Sequence, residues 1–426
     1  MTEAPVIAFF PEASFGSALN CVGIAQQLQR SGAVPVFICH PGFTGVFAEY
    51  GFKEYHLTQG AATSQQTEET WQSFVTTHLE HFDLDPKAQL TTYVAPTWEA
   101  IVDTAIQAED GLQRLLKRIQ PDGIVLDNVI MFPAIANAGV PWIRVVSCAE
   151  TELPDVNVPP YLSGLTASDP ACAPFHEEYL RATAAAHRRY NSFRKKRGLP
   201  AVEDGLFLET SPYLNLLLSP SAVRYDRANP LPDDLFVFLE GCVREEARFD
   251  TPPLPVNDGP LVYVSFGSLG AIDTDLISRM ISVFSAIPAR FFVNVGGFLE
   301  YYTKVPDNVY LGSWFPQPSI VEQADLFIHH GGNNSFCEAL YFGVPSLVMP
   351  YCWDGHDNAA RAAETAAGIH MNRSKWDDAE LSTAMTKLFS DQEMHARLAA
   401  ISSRMKSDLG TEKAADHIMR VLRPAS

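Results

Sequence analysis

The feature that most constrains the fold is an alternation of short apolar runs and helical stretches, which occurs in both halves of the chain. In the first half, Val6–Phe10 is typical of a strand, Leu19–Gln29 has the apolar spacing of a helix, and Val34–Cys39 is typical of the next strand. Strand-like runs follow at Gly123–Leu126 and Trp142–Ser147. Strand–helix–strand repetition predicts a parallel, doubly wound sheet.

The alternation restarts after residues 216–258, which are rich in proline and acidic residues and suit an interdomain linker. The strand-like runs of the second half are Leu261–Phe266, Phe291–Val295, Val309–Leu311, Leu326–His329 and Ser346–Met349. With 426 residues, the chain is also longer than one hydrophobic core usually supports. We therefore predict an α/β fold with two Rossmann-like domains, residues 1–215 and 259–405, whose parallel sheets face a cleft. Ligands of such sheets bind beyond the carboxyl ends of the strands.

The composition argues against several classes of protein. The formal net charge of -19 opposes general binding to nucleic acid or to anionic lipid surfaces. The seven cysteines include no CxxC pair, and no carboxylate pair forms a recognisable metal motif, so no metal site is predicted. The chain shows no signal-like start and no run of about 18 apolar residues. We expect a cytoplasmic protein without a membrane span, either a monomer or a homodimer.

One segment of the second half has the pattern that a diphosphate site needs. A strand ends at His329, His330 and the pair Gly331–Gly332 follow, and a helix is predicted to open near Asn334 and Ser335. Glycines let backbone N–H groups approach a ligand, and a helix N-terminus offers unpaired donors with partial positive charge. His330 can donate to a phosphate oxygen. A plain glycine turn with an Asn or Ser N-cap explains the same residues equally well.

The wider pattern resembles the donor-binding signature of family-1 glycosyltransferases, the UDP-glycosyltransferase superfamily, in its bacterial natural-product and macrolide branch. The matching residues are Trp314, Pro316–Gln317, His330, Gly332, Asn334–Ser335, Glu338, Gly343–Val344–Pro345, Asp354 and Asn358–Ala359. Weaker resemblance covers most of the chain. It implies the GT-B fold, with an acceptor-binding domain followed by a donor-binding domain. It also implies that a helix within residues 406–426 crosses back to the first domain.

The resemblance implies a role for each matching position. The implied donor-binding residues are Ser268, Trp314, Phe315, Gln317, His330, Gly332, Asn334, Ser335, Glu338, Trp353, Asp354 and Gly355. Trp314 would stack on the nucleobase, Gln317 and Glu338 would bind ribose hydroxyls, and Asp354 would bind the sugar. The implied reaction is inverting transfer from a UDP- or dTDP-sugar co-substrate, with no metal or other cofactor. The acceptor would be a phenolic or other apolar natural product.

The acceptor side departs from the family pattern. The family places a histidine base in the first loop and orients it with an aspartate. Here Ser17 takes the position of the histidine, whereas Asp127 is retained. A serine cannot act as a base near neutral pH, so Glu12 joins Ser17 and Asp127 as a catalytic candidate. The histidines His40, His78 and His81 are further candidates, although packing or surface roles explain each of them more simply.

The departure at Ser17 leaves alternatives open. The acceptor could be an amine, a carboxylate or a readily ionised phenol that needs little base catalysis. The protein could instead bind a sugar nucleotide with weak or no transfer, or act as a GT-B epimerase or hydrolase. A second departure is Gly355, where the family has a glutamine that grips the sugar. The sugar could then be deoxygenated, or His356 could replace the missing contact. Aromatic residues that could line an acceptor pocket are Phe43, Phe47, Tyr50, Phe74, Phe82, Tyr93 and Trp98.

Overall fold

The computed structural model describes residues 4–57, 73, 76–77, 79–255 and 259–423. Within these residues the chain forms two parallel sheets with helices on their faces, as the alternation predicts. His78 and Phe74 lie outside the described residues. No helix of the described ranges is long and apolar enough to cross a bilayer.

The first sheet has seven strands among the described residues, in the order β3-β2-β1-β4-β5-β6-β7, and every neighbouring pair is parallel. Its strands are β1 (Val6–Pro11), β2 (Val34–Cys39), β3 (Lys53–His56), β4 (Gly123–Asp127), β5 (Trp142–Val146), β6 (Leu214–Leu217) and β7 (Phe236–Phe238). The helices of this half are α1 (Phe15–Arg30), α2 (Pro86–Gln89), α3 (Ala95–Ile119), α4 (Pro133–Ala136) and α5 (Cys172–Lys196). Short 3-10 helices span Pro41–Phe43, Ala48–Tyr50, Leu79–Asp83 and Glu150–Glu152, and a π-helix spans Leu90–Val94.

The second sheet has six described strands in the order β10-β9-β8-β11-β12-β13, again all parallel. They are β8 (Leu261–Ser265), β9 (Arg290–Asn294), β10 (Val309–Gly312), β11 (Leu326–His329), β12 (Ser346–Val348) and β13 (Gly368–His370). The helices are α6 (Gly267–Gly270), α7 (Thr274–Phe284), α8 (Gln317–Val321), α9 (Asn333–Phe342), α10 (Gly355–Glu364), α11 (Asp378–Ser390), α12 (Gln392–Ser407) and α13 (Gly410–Leu422). A 3-10 stretch spans Gly296–Tyr301.

Both faces of the first sheet are covered, which explains its continuous apolar strands. Along β1, Ile7 and Phe9 join the core beneath α1, whereas Ala8 and Phe10 join the core beneath α3 and α5. Successive strand residues point to opposite faces, so one apolar strand supplies both cores. The carboxyl ends of the central strands form the edge at which the connecting loops can hold catalytic and binding residues.

The predicted linker of residues 216–258 is wrong in its first part. β6 runs to Leu217, and Phe236–Phe238 adds a further parallel strand, β7, to the same sheet. A three-residue strand is too short to give a periodic signal, and the prolines around it belong to its flanking loops. Residues 239–255 contain no helix or strand and lead to the second sheet.

The last helix, α13, packs against α1 of the first domain. It buries Ala414, Ala415 and Ile418 in the core that contains Ile7 and Phe9. At its first residue, a Cβ on Gly410 would lie 2.4 Å from the carbonyl oxygen of Gly241, so the two backbones touch. The contact fixes the C-terminal end of the chain to the first domain.

Candidate active site

The catalytic candidates of the first domain lie at the carboxyl edge of its sheet. Pro11 of β1 pairs with Asp127 of β4, and the next residue, Glu12, donates its N–H to the Asp127 carbonyl at 2.7 Å. Ser147 follows β5, the other neighbour of β4. Parallel strands end at one edge, so residues distant in sequence meet there.

Ser17 and Asp127 are joined through a third residue rather than directly. The Ser147 hydroxyl donates to Asp127 Oδ1 at 2.7 Å, and Ser17 Oγ lies 3.3 Å from Ser147 Oγ. Ser17 sits in the first turn of α1, where the Ser14 side chain caps its N–H at 3.5 Å. Ser147 therefore occupies the hydrogen-bonding role toward Asp127 that the resemblance implies for the histidine.

Two carboxyl groups at this edge hold their protons unusually strongly. Burial raises the pKa of Asp127 to about 8, although the hydrogen bond from Ser147 acts in the opposite direction. Burial also raises the pKa of Glu12 to about 7. The Glu12 carboxylate makes no hydrogen bond to any described residue, and the Glu12 side chain is half-buried, so that solvent can reach it. Glu12 is thus a carboxyl group whose pKa lies near neutral pH.

The candidate histidines of the first domain are less suited to the role of base. His40 is buried and packs on Phe10 with ring centroids 5.4 Å apart, and burial lowers its pKa to about 4. His81 lies in a 3-10 helix, with Nε2 3.7 Å from Glu80 Oε1. His78, which is also predicted as a possible base, lies outside the described residues.

In the second domain, the His330 imidazole lies between two glycine loops. A Cβ on Gly267 would lie 3.1 Å from His330 Cε1, and a Cβ on Gly332 would lie 2.5 Å from Nε2. The ring stacks on Tyr351 with centroids 5.1 Å apart. Burial lowers the pKa of His330 to about 4, and the nearby Arg373 guanidinium lowers it further. The imidazole is therefore neutral at pH 7 and carries a single ring N–H.

The helix that follows begins one residue before the predicted opening. Helix α9 starts at Asn333, and Gly332 holds the N-cap position without any side-chain cap. The alternative of an Asn or Ser N-cap is therefore not what the structure contains. The Asn333 N–H donates to Asp354 Oδ2 at 3.3 Å. The N-terminus of α9 and His330 lie together, which is the arrangement predicted for a diphosphate.

The predicted ribose-binding residues are also brought together. Gln317, at the start of α8, donates from Nε2 to Glu338 Oε2 at 2.8 Å and to Ser335 Oγ at 3.1 Å. Glu338 and Asn334 line a small cavity with Asn20 and Cys242 of the first domain and its following segment. The Ser268 side chain is outside the described part of the chain, although its backbone belongs to α6 beside His330.

Trp314 and Phe315 separate in space although they are adjacent in sequence. The Trp314 side chain is 53% exposed and faces Phe15 of α1, with ring centroids 5.8 Å apart. Phe315 is buried among Tyr263, Phe249 and Phe292. The Phe315 ring therefore belongs to the core beneath the second sheet, so that donor binding by Phe315, which stays a prediction, would use its backbone rather than its ring.

At the sugar end of the predicted site, the lack of space around Gly355 explains why this position does not hold a glutamine. A Cβ at Gly355 would lie 2.5 Å from the His330 carbonyl oxygen, so the loops meet backbone to backbone. His356 does not replace the missing grip, because its Nε2 pairs with Gln89 Oε1 of the first domain at 2.9 Å. Asp354 remains at the site, and burial raises its pKa to about 7. Trp353 packs against Trp98 at 5.4 Å between ring centroids.

The predicted acceptor-pocket aromatics are mainly core residues. The buried ones are Phe43, Phe47, Phe82, Tyr93 and Trp98. Tyr50 is partly buried and donates from its hydroxyl to Glu246. The aromatic enrichment of this region therefore reflects the packing of the first domain.

Contacts of three residues near the candidate site, Asn333, Asp357 and Ser147, were not predicted from the sequence. Asn333 donates from Nδ2 to the carbonyls of Ser147 at 3.0 Å and Leu218 at 2.9 Å, across the two domains. Asp357 accepts hydrogen bonds from the Thr151 hydroxyl and from the backbone N–H groups of Leu162 and Gly164 in the first domain. Ser147 could have been found, because it directly follows a buried strand. The Asn333 contact depends on the packing of the two domains, which one sequence does not give.

Several known proteins are similar to this chain. Residues 295–421 match the family model described as Erythromycin biosynthesis protein CIII-like, C-terminal domain. The NDP-glycosyltransferase YjiC of Bacillus subtilis (strain 168) is 26% identical over 312 residues, which cover 72% of this chain and 74% of that protein. The oleandomycin glycosyltransferase of Streptomyces antibioticus is 25% identical over 425 residues, which cover 97% of this chain and 90% of that protein.

A solved structure, that of the kitacinnamycin glycotransferase, superposes with a TM-score of 0.74 at 21% identity and covers 99% of this chain and 100% of that one. The two parallel-sheet domains thus define a GT-B fold. The chain is thus similar to the family-1 glycosyltransferases, and it is a glycosyltransferase.

Proposed function

We propose that this enzyme moves a sugar from a nucleoside diphosphate sugar to a hydroxyl group of a small natural-product acceptor, with inversion and without a metal ion. The names of two relatives support the two substrates: one is an NDP-glycosyltransferase and the other an oleandomycin glycosyltransferase. The choice between uridine and thymidine diphosphate stays open.

The observation that carries the proposal is the contact of Asn333 with Ser147. Asn333 is the first residue of the helix predicted to hold the diphosphate, and Ser147 is hydrogen-bonded to Asp127. The contact supports a reaction in which the leaving diphosphate lies on one side of the sugar and the acceptor-side carboxyl groups lie on the other.

The second domain would stabilise the leaving group. Charge develops on the diphosphate as the bond between the anomeric carbon and the phosphate oxygen breaks. The N-terminus of α9 supplies partial positive charge, and the neutral His330 supplies an N–H donor. These fixed groups act on the oxygen atoms of the leaving diphosphate, the role that a metal ion takes in some other transferases.

Glu12 would act as the base. The acceptor hydroxyl loses its proton to the Glu12 carboxylate while its oxygen attacks the anomeric carbon from the face opposite the diphosphate. A single displacement of this kind inverts the anomeric configuration. Ser17 takes no proton in this scheme and instead supports Ser147 beside Asp127.

The test is incubation with UDP- and dTDP-sugars and a panel of phenolic and macrolide acceptors in the presence of EDTA. We expect a glycoside whose anomeric configuration, read by NMR coupling constants, is opposite to that of the donor. Loss of donor without glycoside would instead support a hydrolase or epimerase. Tight nucleotide binding without turnover of any donor would support a binding protein, and inactivation by EDTA would contradict metal-independent transfer.

A further inference from the structure

Arg244 lies in the segment between the two sheets and contacts a residue predicted to hold the ribose. Its Nη1 donates to Glu338 Oε1 at 3.0 Å, and its Nε donates to Glu246 Oε1 at 2.5 Å. The Arg244 and Glu338 side chains are 2% and 1% exposed, respectively. The other Glu338 oxygen accepts from Gln317 at 2.8 Å. Each oxygen of this carboxylate thus has one protein donor and keeps a second lone-pair site.

The charge of Glu338 depends on this partner. Burial raises the pKa of Glu338, and the Arg244 guanidinium acts in the opposite direction as its nearest cation. A buried carboxylate that loses its cation either takes up a proton or remains as an uncompensated charge. A protonated Glu338 would be a poorer acceptor for ribose hydroxyls, because one of its oxygens would carry hydrogen.

The same arginine connects the donor side to the first domain. Glu246 accepts from the Tyr50 hydroxyl at 2.7 Å. Tyr50 ends a loop that is itself fixed, because Glu54 accepts the N–H groups of Gly45 and Phe47 at 2.9 and 2.8 Å. A continuous series of polar contacts therefore runs from this loop through Glu246 and Arg244 to Glu338.

We propose that Arg244 is a positioning residue for the nucleoside half of the donor site, which keeps the Glu338 carboxylate charged and oriented toward a ribose hydroxyl. This inference rests on the proposed function, since it assumes that the donor carries a nucleoside. Through Glu246 and Tyr50, it also makes nucleoside binding depend on the first domain.

The test compares Arg244→Met with Arg244→Lys and with Arg248→Met. Arg248 is the matched control, because it lies in the same segment but pairs with Asp250 at the surface, both side chains being at least 85% exposed. Calorimetry measures the Kd of UDP and of dTDP for each variant. Inhibition by inorganic pyrophosphate measures binding to the diphosphate half of the donor site alone, since pyrophosphate carries no ribose.

We expect Arg244→Met to weaken binding of the preferred nucleotide about 10- to 100-fold, the size of one hydrogen bond to a charged group. Arg244→Lys should recover part of the loss, and Arg248→Met should bind as the wild type does. Pyrophosphate inhibition should change less than threefold, and kcat at saturating donor should fall much less than kcat/KM. If Arg244→Met does not fold, Glu246→Gln should show the same pattern with a smaller loss.

Equal losses for nucleotide and pyrophosphate would overturn the inference, because they indicate general damage to the donor domain. An unchanged nucleotide Kd in folded Arg244→Met would overturn it too, while leaving the proposed function intact if the wild type binds UDP or dTDP. If the wild type binds neither nucleotide, the proposed function and this inference both fail.

Discussion

Replacing Gly332 with alanine tests whether the position of the His330 imidazole limits the reaction. The new Cβ would lie 2.5 Å from His330 Nε2 and 3.3 Å from both Cδ2 and Cε1. The Gly332 backbone, at φ -55 and ψ 138, is open to alanine, so the chain itself need not change. To restore an ordinary contact of 3.4 Å, the ring must move by about 0.9 Å.

The ring has little freedom to absorb that displacement. Tyr351 stacks on it, and the Gly267 loop approaches its Cε1 atom. A misplacement of about 1 Å in an aligned catalytic group costs about 100-fold in rate, or about 2.7 kcal/mol of transition-state stabilisation. We therefore expect Gly332→Ala to lose about 100-fold in kcat/KM for the donor, with a melting temperature close to that of the wild type.

The assay is steady-state glycoside formation at saturating acceptor. Gly297→Ala is the control in the same domain, because nothing lies within 4 Å of its Cβ, and it should leave the rate unchanged. The double variant with His330→Ala should be no slower than His330→Ala alone, since the alanine acts through the imidazole. The reasoning is refuted if Gly332→Ala keeps more than a third of the wild-type kcat/KM, or if the two losses multiply in the double variant.

Three further predictions concern other residues of the site. The pKa of Glu12 is about 7, so kcat should fall about tenfold per pH unit below that value, and Glu12→Gln should lose this dependence together with about 100-fold of the rate. The raised pKa of Asp127, about 8, means that the stability it contributes is fully present below about pH 4 and is lost as pH rises through 8. Urea unfolding of Asp127→Asn should therefore show a smaller loss of stability between pH 5 and pH 8.5 than the wild type. Trp314→Leu should raise the donor KM about tenfold through lost stacking, whereas Phe315→Leu should lower the free energy of unfolding by about 1 kcal/mol and leave that KM unchanged.

The fold could be predicted because its signal is local and repeated. Each buried strand is a short apolar run, and the helices between strands show their own period, so the α/β class follows from the sequence alone. The strand Phe236–Phe238 cannot be predicted in this way, because three residues give no period. The resemblance implies that Phe315, like its neighbour Trp314, belongs to the donor site, yet the two rings face different surroundings, because adjacent residues in an extended segment point in opposite directions.

The candidate site, too, has one part that could be predicted from the sequence and one part that could not. The residues around the diphosphate lie within one strand–loop–helix unit, so their meeting could be predicted from a contiguous motif. Arg244, Ser147 and Asn333 each act through a partner far away in the sequence, and only the packing of the two domains brings these pairs together. Gly355 could be recognised as a departure, but its reason is the close approach of the His330 carbonyl, which depends on how two loops distant in sequence pack together.

Ser17 stands where the family has a histidine, and the carboxyl group that would orient that histidine, Asp127, differs accordingly in its protonation and its partner. A histidine beside Asp127 would be held by an ionised carboxylate, whereas here the pKa of Asp127 is raised and its partner is the neutral Ser147 hydroxyl. Glu12 adds a second carboxyl group that interacts electrostatically with Asp127. Two carboxyl groups that interact in this way resist double ionisation, so the pair loses its protons in two steps. In the proposed mechanism the first step leaves Glu12 ionised near pH 7 while Asp127 keeps its proton, and the enzyme retains a base of near-neutral pKa without an imidazole.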